Sequence, residues 1–313
     1  MKHRSGTRRP DTWQAELEAF QASHRLQSRR IAGHEWEYFA CGGGADLLLV
    51  LPGGLAVADT AFRYIRHFEP DYRVIAPTYP ATATTMAELV GGLIQIIRGQ
   101  PQTQVHVVGG SYSGLVAQCL VRHAPELIDM LVLSDTGLPQ PARAGRFGRY
   151  QRLVKRLPPP ALRGMLRLGM AVFLKPMTVN RAFWRRYFKD RNASLTREAC
   201  LSHLATWRDF DGRHHFTPAD LCGWPGRMLI IEAERDGLFR RSEQLALRRL
   251  YPAALVHTFE NSPHGASLTR MDDYIALIAR FLSGDLAGHS PQRPGDGGNR
   301  IDHSFGEERH APN

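Results

Sequence analysis

Residues 105–117 read VHVVGGSYSGLVA, an apolar run that leads through two glycines to Ser111 and then into a helix-like stretch. The apolar run predicts a strand buried on both faces, and the small residues around Ser111 predict a tight turn. Larger side chains on either side of the serine would collide, because strand and helix fold close together there. The segment therefore predicts a strand–turn–helix unit that lifts the Ser111 hydroxyl group above the end of a strand.

Short apolar runs bounded by turn residues recur along the chain and predict strands. They occupy residues 36–40, 46–51, 72–76, 104–108, 130–134, 227–232 and 254–259. Four of these runs are apolar at nearly every position, which is typical of strands covered on both faces of a parallel sheet. Helix-like stretches separate the runs, at residues 59–68, 85–98, 113–123, 242–250 and 268–282. The alternation predicts an α/β fold, with a mostly parallel twisted sheet flanked by helices.

One long segment departs from this alternation and sets the predicted domain boundaries. Residues 139–215 contain no strand pattern and carry basic helical turns, interrupted by three prolines at 158–160, so they predict a helical cap inserted into the core. The core itself is assigned to residues 31–138 and 216–284. Residues 1–30 are predicted to be a polar extension with one helix. Residues 285–313, rich in Gly, Pro, Asp, Arg and His, are predicted to be a disordered tail.

The charge of the chain is concentrated in the cap. The 313 residues are 43% hydrophobic and 22% charged, values that suit a globular protein and exclude collagen-like, coiled-coil and wholly disordered chains. The net charge is +10, but residues 139–215 alone hold 17 Arg or Lys against four acidic residues, a net +13. A basic cap would suit the binding of an anionic substrate, a membrane surface or an acidic partner. The same charge is explained equally well by an amphipathic lid whose cations are only solvated. No nucleic acid is expected, because no recognition motif accompanies the arginines.

Cysteine usage and the N-terminus bear on location. Cys41, Cys119, Cys200 and Cys222 show no C-x-x-C pair and no regular spacing, so reduced thiols and no zinc site are expected. The basic N-terminus is followed by QAELEAF rather than by the apolar stretch of a secretory signal. No apolar run is long enough for a membrane span. These features predict a cytoplasmic protein.

A serine that acts as a nucleophile needs a base, and the base needs a carboxylate to orient it. The segment MLIIEAERDGLF places Asp236 just after an apolar strand, and VHTFENSPHGASL places His264 in the loop before the last helix. Asp236 is the preferred acid, although an aspartate there is also explained as a helix cap. Asp135, in LVLSDTG, follows another strand and is the alternative acid.

The GGSYSG segment resembles the nucleophile elbow, G-x-S-x-G, of α/β-hydrolases, with the departure that residue 113 is Ser and the glycine falls at 114. The order Ser111, Asp236, His264 is also the order of that family. In the strand numbering of that family, the cap follows strand six, and the PGGL loop of LLLVLPGGL follows strand three. The resemblance implies an oxyanion hole formed by the N–H groups of Gly54 and Tyr112, with Leu55 as the second choice if Gly54 is not the loop donor.

From about residue 31 to 284 the chain is most similar to capped bacterial hydrolases of the proline-iminopeptidase and maspardin-like kind. The resemblance implies a serine hydrolase that cleaves an ester, thioester or amide of a small to medium substrate through an acyl-enzyme, carboxylic esters foremost, without metal or organic cofactor. The alternative is a catalytically idle scaffold that binds a protein or an acidic surface through its basic cap. Apolar side chains of the cap are expected either to close a pocket or to form the cap core: Leu166, Met170, Phe173, Phe183, Trp184 and Phe188. The substrate and the oligomeric state are left open.

Overall fold

The computed structural model describes residues 11–176 and 178–286. In these residues the strands are β1 (Gln27–Ile31), β2 (His34–Cys41), β3 (Leu47–Leu51), β4 (Arg73–Thr78), β5 (Val105–Gly110), β6 (Met130–Ser134), β7 (Arg227–Arg235) and β8 (Leu255–Pro263). The helices of the first half are α1 (Asp11–Ser23), α2 (Phe62–Phe68), α3 (Met86–Arg98) and α4 (Tyr112–His123). The helices that follow are α5 (Pro141–Arg156), α6 (Pro159–Leu174), α7 (Arg181–Ser194), α8 (Arg197–Arg213), α9 (Arg241–Leu250), α10 (Ala266–Thr269) and α11 (Met271–Leu282).

All eight strands belong to one sheet, in the order β1-β2-β4-β3-β5-β6-β7-β8. The pairs β1–β2 and β2–β4 are antiparallel, and every other neighbouring pair is parallel. The carboxyl ends of β3, β5, β6 and β7 therefore meet at one edge of the sheet, where parallel sheets place their ligand sites. The α/β-hydrolase fold predicted from the sequence is confirmed.

The sheet is covered on both faces, which explains why its central strands are apolar throughout. In β3 the side chains of Leu47, Leu49 and Leu51 join the core on the face of α3, α4 and α9. Leu48 and Val50 point to the other face and join the core of α1, α2 and α11. This is the burial that the continuous apolar runs predict.

The first strand has no counterpart among the predicted strands, because its sequence QSRRI is exposed at four of five positions and shows no apolar pattern. It pairs with β2 at the edge of the sheet. The helix before it, α1, buries Trp13, Leu17 and Phe20 in the core. From residue 11 onward the predicted polar extension therefore contributes a helix and an edge strand to the core.

Four helices, α5 to α8, lie between β6 and β7 and are called the cap helices below. The three prolines end one helix and begin the next, because α5 stops at Arg156 and α6 has proline in its first turn. Helix α5 packs on α8, and α6 packs on α7. Of the predicted tail, only residues 285 and 286 lie within the described part of the chain. Among the described helices none has the length and apolar character needed to cross a bilayer.

Candidate active site

Ser111 occupies the turn between β5 and α4 in a strained backbone conformation, with φ 55° and ψ −122°. Hydrogen bonds to β6 and to the loop after it hold this conformation in place. The Ser111 N–H donates to the carbonyl of Ser134 at 2.8 Å, and the Thr136 hydroxyl donates to the Ser111 carbonyl at 2.8 Å. The turn thus presents the hydroxyl group of Ser111 at the carboxyl edge of the sheet.

Contacts around the turn explain its small residues. A Cβ at Gly109 would lie 2.6 Å from the carbonyl oxygen of Ser113, and a Cβ at Gly114 would lie 2.6 Å from the side chain of Thr136. Ser113, the departure from the family pattern, is fully buried. Its hydroxyl accepts from the Gly110 N–H at 2.9 Å and lies 3.2 Å from the carbonyl oxygen of Leu51, to which it can donate. A serine here ties the turn to the end of β3, so the departure adds an anchor.

His264 lies at the junction of β8 and α10 and contacts two of the residues singled out in the sequence. Its Nδ1 is 2.8 Å from Oδ2 of Asp236, and its Nε2 is 3.1 Å from Oγ of Ser111. A proton on Nδ1 donates to the carboxylate and leaves Nε2 to accept from the serine hydroxyl. Burial lowers the pKa of His264, but the hydrogen bond and charge of Asp236, together with the charge of Asp135, raise it above its usual value.

Asp236 follows β7 and uses both carboxylate oxygens. Its Oδ1 accepts from the N–H groups of Leu238 at 2.7 Å and Phe239 at 2.9 Å, and its Oδ2 faces His264. Asp236 therefore caps the turn of residues 236–239 and not helix α9, whose N-cap is Arg240. The two turn hydrogen bonds orient the carboxylate toward the imidazole.

Asp135, the alternative acid, follows β6 and makes no hydrogen bond to the His264 side chain in the described residues. Its Oδ2 accepts from the N–H groups of Gly265 at 3.1 Å and Ala266 at 3.2 Å, so it holds the loop that carries His264. Its Oδ1 is buried and has no hydrogen-bond partner in that part of the chain. Burial raises the pKa of Asp135 to about 6.

The Pro52–Leu55 loop borders the cavity that contains His264. A Cβ at Gly54 would meet no atom within 4 Å, so the backbone there faces open space. Neither the N–H of Gly54 nor that of Tyr112 has an acceptor in the described residues. The N–H of Leu55 is also without one among those residues, so the geometry leaves both loop donors available.

A cavity of about 610 Å³ opens onto Ser111 and His264. Cap side chains form part of its wall: Met170, Phe173, Trp184, Phe188, His203 and Trp207. Of the apolar cap residues named from the sequence, Leu166 instead packs in the cap interior and Phe183 packs against Trp13 of α1. The described residues that line the cavity include no Arg or Lys.

One cavity residue, His203, is not among the residues that the sequence singles out. His203 of α8 has its ring centroid 4.1 Å from that of Tyr112 and makes no side-chain hydrogen bond to the described residues. Burial lowers its pKa to about 4, so the ring is neutral at neutral pH. The signal that could have found it is helical spacing, which places His203 and Trp207 on one side of α8.

Three residues elsewhere have the chemistry of metal ligands. His24, Cys41 and Glu69 bring one ligand atom each to within 4.8 Å of one another. The His24 Nε2 already forms a hydrogen bond with Glu69 at 2.9 Å. Burial, with the charge of Glu69, raises the pKa of the Cys41 thiol to about 11, which disfavours the thiolate that a metal binds. The group is therefore accounted for by its own hydrogen bond.

Comparisons with known proteins bear on the family and the fold. The model of a family described as "Alpha/beta hydrolase family" matches residues 47–277. The fold is similar to that of an esterase from Exiguobacterium antarcticum, with 16% identity, a TM-score of 0.69 and coverage of 83% of this chain and 100% of the other. It is also similar to that of a thermophilic esterase from Thermogutta terrifontis, with 17% identity, a TM-score of 0.67 and coverage of 83% of this chain and 98% of the other. A meta-cleavage product hydrolase from Pseudomonas fluorescens IP01 has a similar fold, with 20% identity, a TM-score of 0.64 and coverage of 83% of this chain and 98% of the other. No curated protein sequence matches this chain.

Proposed function

This chain belongs to the alpha/beta hydrolase family, and we propose that it is a serine hydrolase that cleaves a carboxylic ester through an acyl-enzyme intermediate. One observation carries the proposal. Ser111, His264 and Asp236 form a continuous hydrogen-bonded chain, with steps of 3.1 Å and 2.8 Å, and its serine end faces a cavity. Such a chain is the arrangement that activates a serine hydroxyl for acyl transfer.

The chemistry follows from the roles that this geometry permits. His264 Nε2 takes the hydroxyl proton as Ser111 Oγ attacks the acyl carbon, and Asp236 stabilises the imidazolium that forms. The N–H groups of Gly54 and Tyr112 would bind the oxyanion. His264 then gives the proton to the leaving alcohol, and the C–O bond breaks to leave an ester of Ser111. Water attacks this ester with His264 as base, and the acid is released.

The cavity favours a substrate with a largely apolar acyl group of moderate size. Its volume of about 610 Å³ is in the range of small-molecule pockets, and Leu51, Val108, Met170, Phe173 and Leu268 contribute apolar surface. Because no described lining residue is cationic, an anionic group has no partner inside the cavity. We therefore assign the basic residues of the cap to a role outside the acyl pocket.

Fluorophosphonate labelling tests the proposal. The wild-type protein is expected to form a covalent adduct, and Ser111→Ala is expected to lose it while keeping the same circular dichroism. Ser283→Ala, at an exposed serine just after α11, is the matched control and should be labelled as the wild type is. Folded wild-type protein that stays unlabelled, or Ser111→Ala that labels equally, would refute the enzyme and leave the catalytically idle scaffold.

The finer assignments within the family remain predictions. The proline-iminopeptidase and maspardin-like resemblance rests on the PGG loop, the elbow and the basic cap. The proposed domain boundaries at residues 139 and 215 are supported by the cap helices, which run from Pro141 to Arg213. A screen that compares nitrophenyl esters of increasing acyl length with proline nitroanilide separates esterase from aminopeptidase activity.

A cytoplasmic location stays a prediction and is supported by four free cysteines.

A further inference from the structure

Helix α6 presents apolar residues on two separate sides. Its inner side lines the cavity with Gly169, Met170 and Phe173, and the Phe173 ring centroid is 6.0 Å from that of His264. This side is covered by the cavity wall and by the neighbouring cap helix α7. The inner side therefore belongs to the candidate active site.

The outer side of α6 is exposed. Met165, Leu168 and Val172 have 37%, 67% and 64% of each residue accessible. These three residues recur at helical spacing and form one stripe, called the outer stripe below. A contiguous stripe of exposed apolar side chains is uncommon on a soluble protein and marks a surface that a partner or a membrane covers.

The segment that carries the outer stripe is rich in cations. Residues 141–194 contain 14 Arg or Lys and a single acid, Asp190, and α6 itself contains no acid. Some cap arginines are paired, such as Arg143 with Asp211 and Arg191 with Asp59. The remaining cations of this segment are exposed and have no carboxylate partner in the described residues: Arg146, Arg149, Arg152, Lys155, Arg156, Arg163, Arg167, Lys175, Arg181, Arg185, Arg186 and Lys189.

We propose that the outer stripe and the exposed cations of the cap helices dock the cap onto the surface of a bilayer that contains anionic phospholipids. An exposed apolar stripe among Arg and Lys is the pattern of helices that lie in a membrane interface, with the stripe in the acyl boundary and the cations at the headgroups. Anionic lipids supply the negative charge that the cap itself lacks. Docking places the lipid within about one helix diameter, ~10 Å, of the cavity wall that Met170 and Phe173 form.

Vesicle flotation tests the docking without reference to catalysis. The full-length protein is expected to float with vesicles of phosphatidylcholine and phosphatidylglycerol, to remain unbound with phosphatidylcholine alone, and to dissociate as salt rises. The double substitution Leu168→Glu with Val172→Glu should weaken binding on the order of 100-fold, because two apolar side chains leave the interface. Arg163→Gln with Arg167→Gln should weaken it roughly 30-fold.

The chain offers matched controls for both pairs. Leu245→Glu with Val256→Glu makes the same change at two exposed apolar residues of α9 and β8, and Arg25→Gln with Arg30→Gln removes two exposed cations near the β1 edge of the sheet. Both controls should bind vesicles as the wild type does. Circular dichroism shows whether each variant is folded. If fluorophosphonate labelling is absent from the wild type while vesicle binding persists, the proposed hydrolase fails and the docking stands.

Three outcomes overturn the docking. The first is no binding of wild-type protein to anionic vesicles. The second is vesicle binding by the Leu168/Val172 variant that equals that of the wild type, or an equal loss of binding in its Leu245/Val256 control. Either result would show that binding does not depend on the outer stripe. The third is a wild-type dimer in analytical ultracentrifugation that the Leu168/Val172 substitutions dissociate, because a second copy of the chain would then cover the stripe.

Discussion

Two aspartates at neighbouring strand ends lie beside the loop of His264, and their hydrogen bonds separate their roles. Asp236 presents Oδ2 to the imidazole, whereas Asp135 uses Oδ2 to accept from the backbone of the two residues that follow His264. A carboxylate on the imidazole fixes the tautomer, and one on the loop fixes where the imidazole lies. We therefore interpret Asp135 as a positioning residue.

Replacing Asp236 by Asn is expected to lower kcat by about 10⁴-fold, because an amide no longer holds the imidazole in the tautomer that accepts the serine proton. Asp135→Asn should cost far less, since an amide oxygen can still accept from the N–H groups of Gly265 and Ala266. Ester hydrolysis by the two variants at one pH, with circular dichroism as the check on folding, makes the comparison. The reverse order of effects would reassign the acid to Asp135.

The two aspartates also differ in their effect on the pH profile. His264 must be neutral to act as a base, and its raised pKa means that activity falls as the pH drops through that value. The charge of Asp135 helps to raise this pKa, so Asp135→Asn should lower it and move the acid limb of kcat/KM to lower pH. Asp190→Asn, at an exposed acid of the cap, is the control and should leave the limb in place. A shift to higher pH in Asp135→Asn would contradict the assignment.

At the scale of the element, the turn from β5 to α4 is held by contacts that leave no room for a side chain at Gly109. The carbonyl of Ser113 and the Cβ of Ala117 lie 2.6 Å and 2.9 Å from the place where a Cβ would stand. Both atoms are fixed to the backbone of α4, so they can move only if the helix moves away from the strand. The same turn holds Ser111 at a φ of 55°.

Gly109→Ala is therefore expected to lower the free energy of unfolding by about 1–3 kcal/mol and to reduce fluorophosphonate labelling. Gly91→Ala in α3 is the matched control, because a Cβ there meets no atom within 4 Å. It should leave labelling unchanged and raise stability by about 0.5–1 kcal/mol, the usual gain from removing a glycine inside a helix. Urea unfolding measures the stability of both variants. A Gly109→Ala protein as stable as the wild type would show that the turn tolerates a side chain.

At the scale of the whole molecule, α1 joins the N-terminal segment to both the core and the cap. Trp13 stacks edge-on against Phe183 and Trp184 of α7, at centroid distances of 5.5 Å and 5.7 Å. The guanidinium of Arg63 in α2 lies 4.3 Å from the centroid of the same ring. Since Trp184 also lines the cavity, the position of α7 over the cavity depends on the helix that begins the described part of the chain.

Trp13→Ala should lower the free energy of unfolding by about 3–5 kcal/mol, the cost of emptying a buried site of that size. It should also raise KM for ester substrates, because Trp184 of α7, which lines the cavity, loses its contact with α1. Leu26→Ala, at an exposed apolar residue of the same N-terminal segment, is the control and should change neither quantity. Urea unfolding and steady-state kinetics give the two readouts. Wild-type stability in Trp13→Ala would mean that α1 does not support the cap.

Much of the fold and of the candidate site is predictable from the sequence because burial leaves a local pattern. A central strand of a parallel sheet is buried on both faces, so β3, β5, β6 and β7 are apolar along most of their length. Ser111, Asp236 and His264 each follow a strand of that sheet, and the carboxyl ends of parallel strands meet at one edge. The edge strand β1 is not predicted, because a strand exposed at four of its five positions has no apolar pattern in its sequence.

The contacts that join distant parts of the chain are visible only in the three-dimensional structure. Two aspartates follow neighbouring strands, and only the three-dimensional arrangement shows that Asp236 reaches the imidazole while Asp135 holds its loop. Helical spacing marks α6 as apolar, but only packing shows which side meets the cavity and which side is left exposed. The physical reason is that periodicity reports whether a residue is buried, whereas the partner it is buried against depends on how the elements pack.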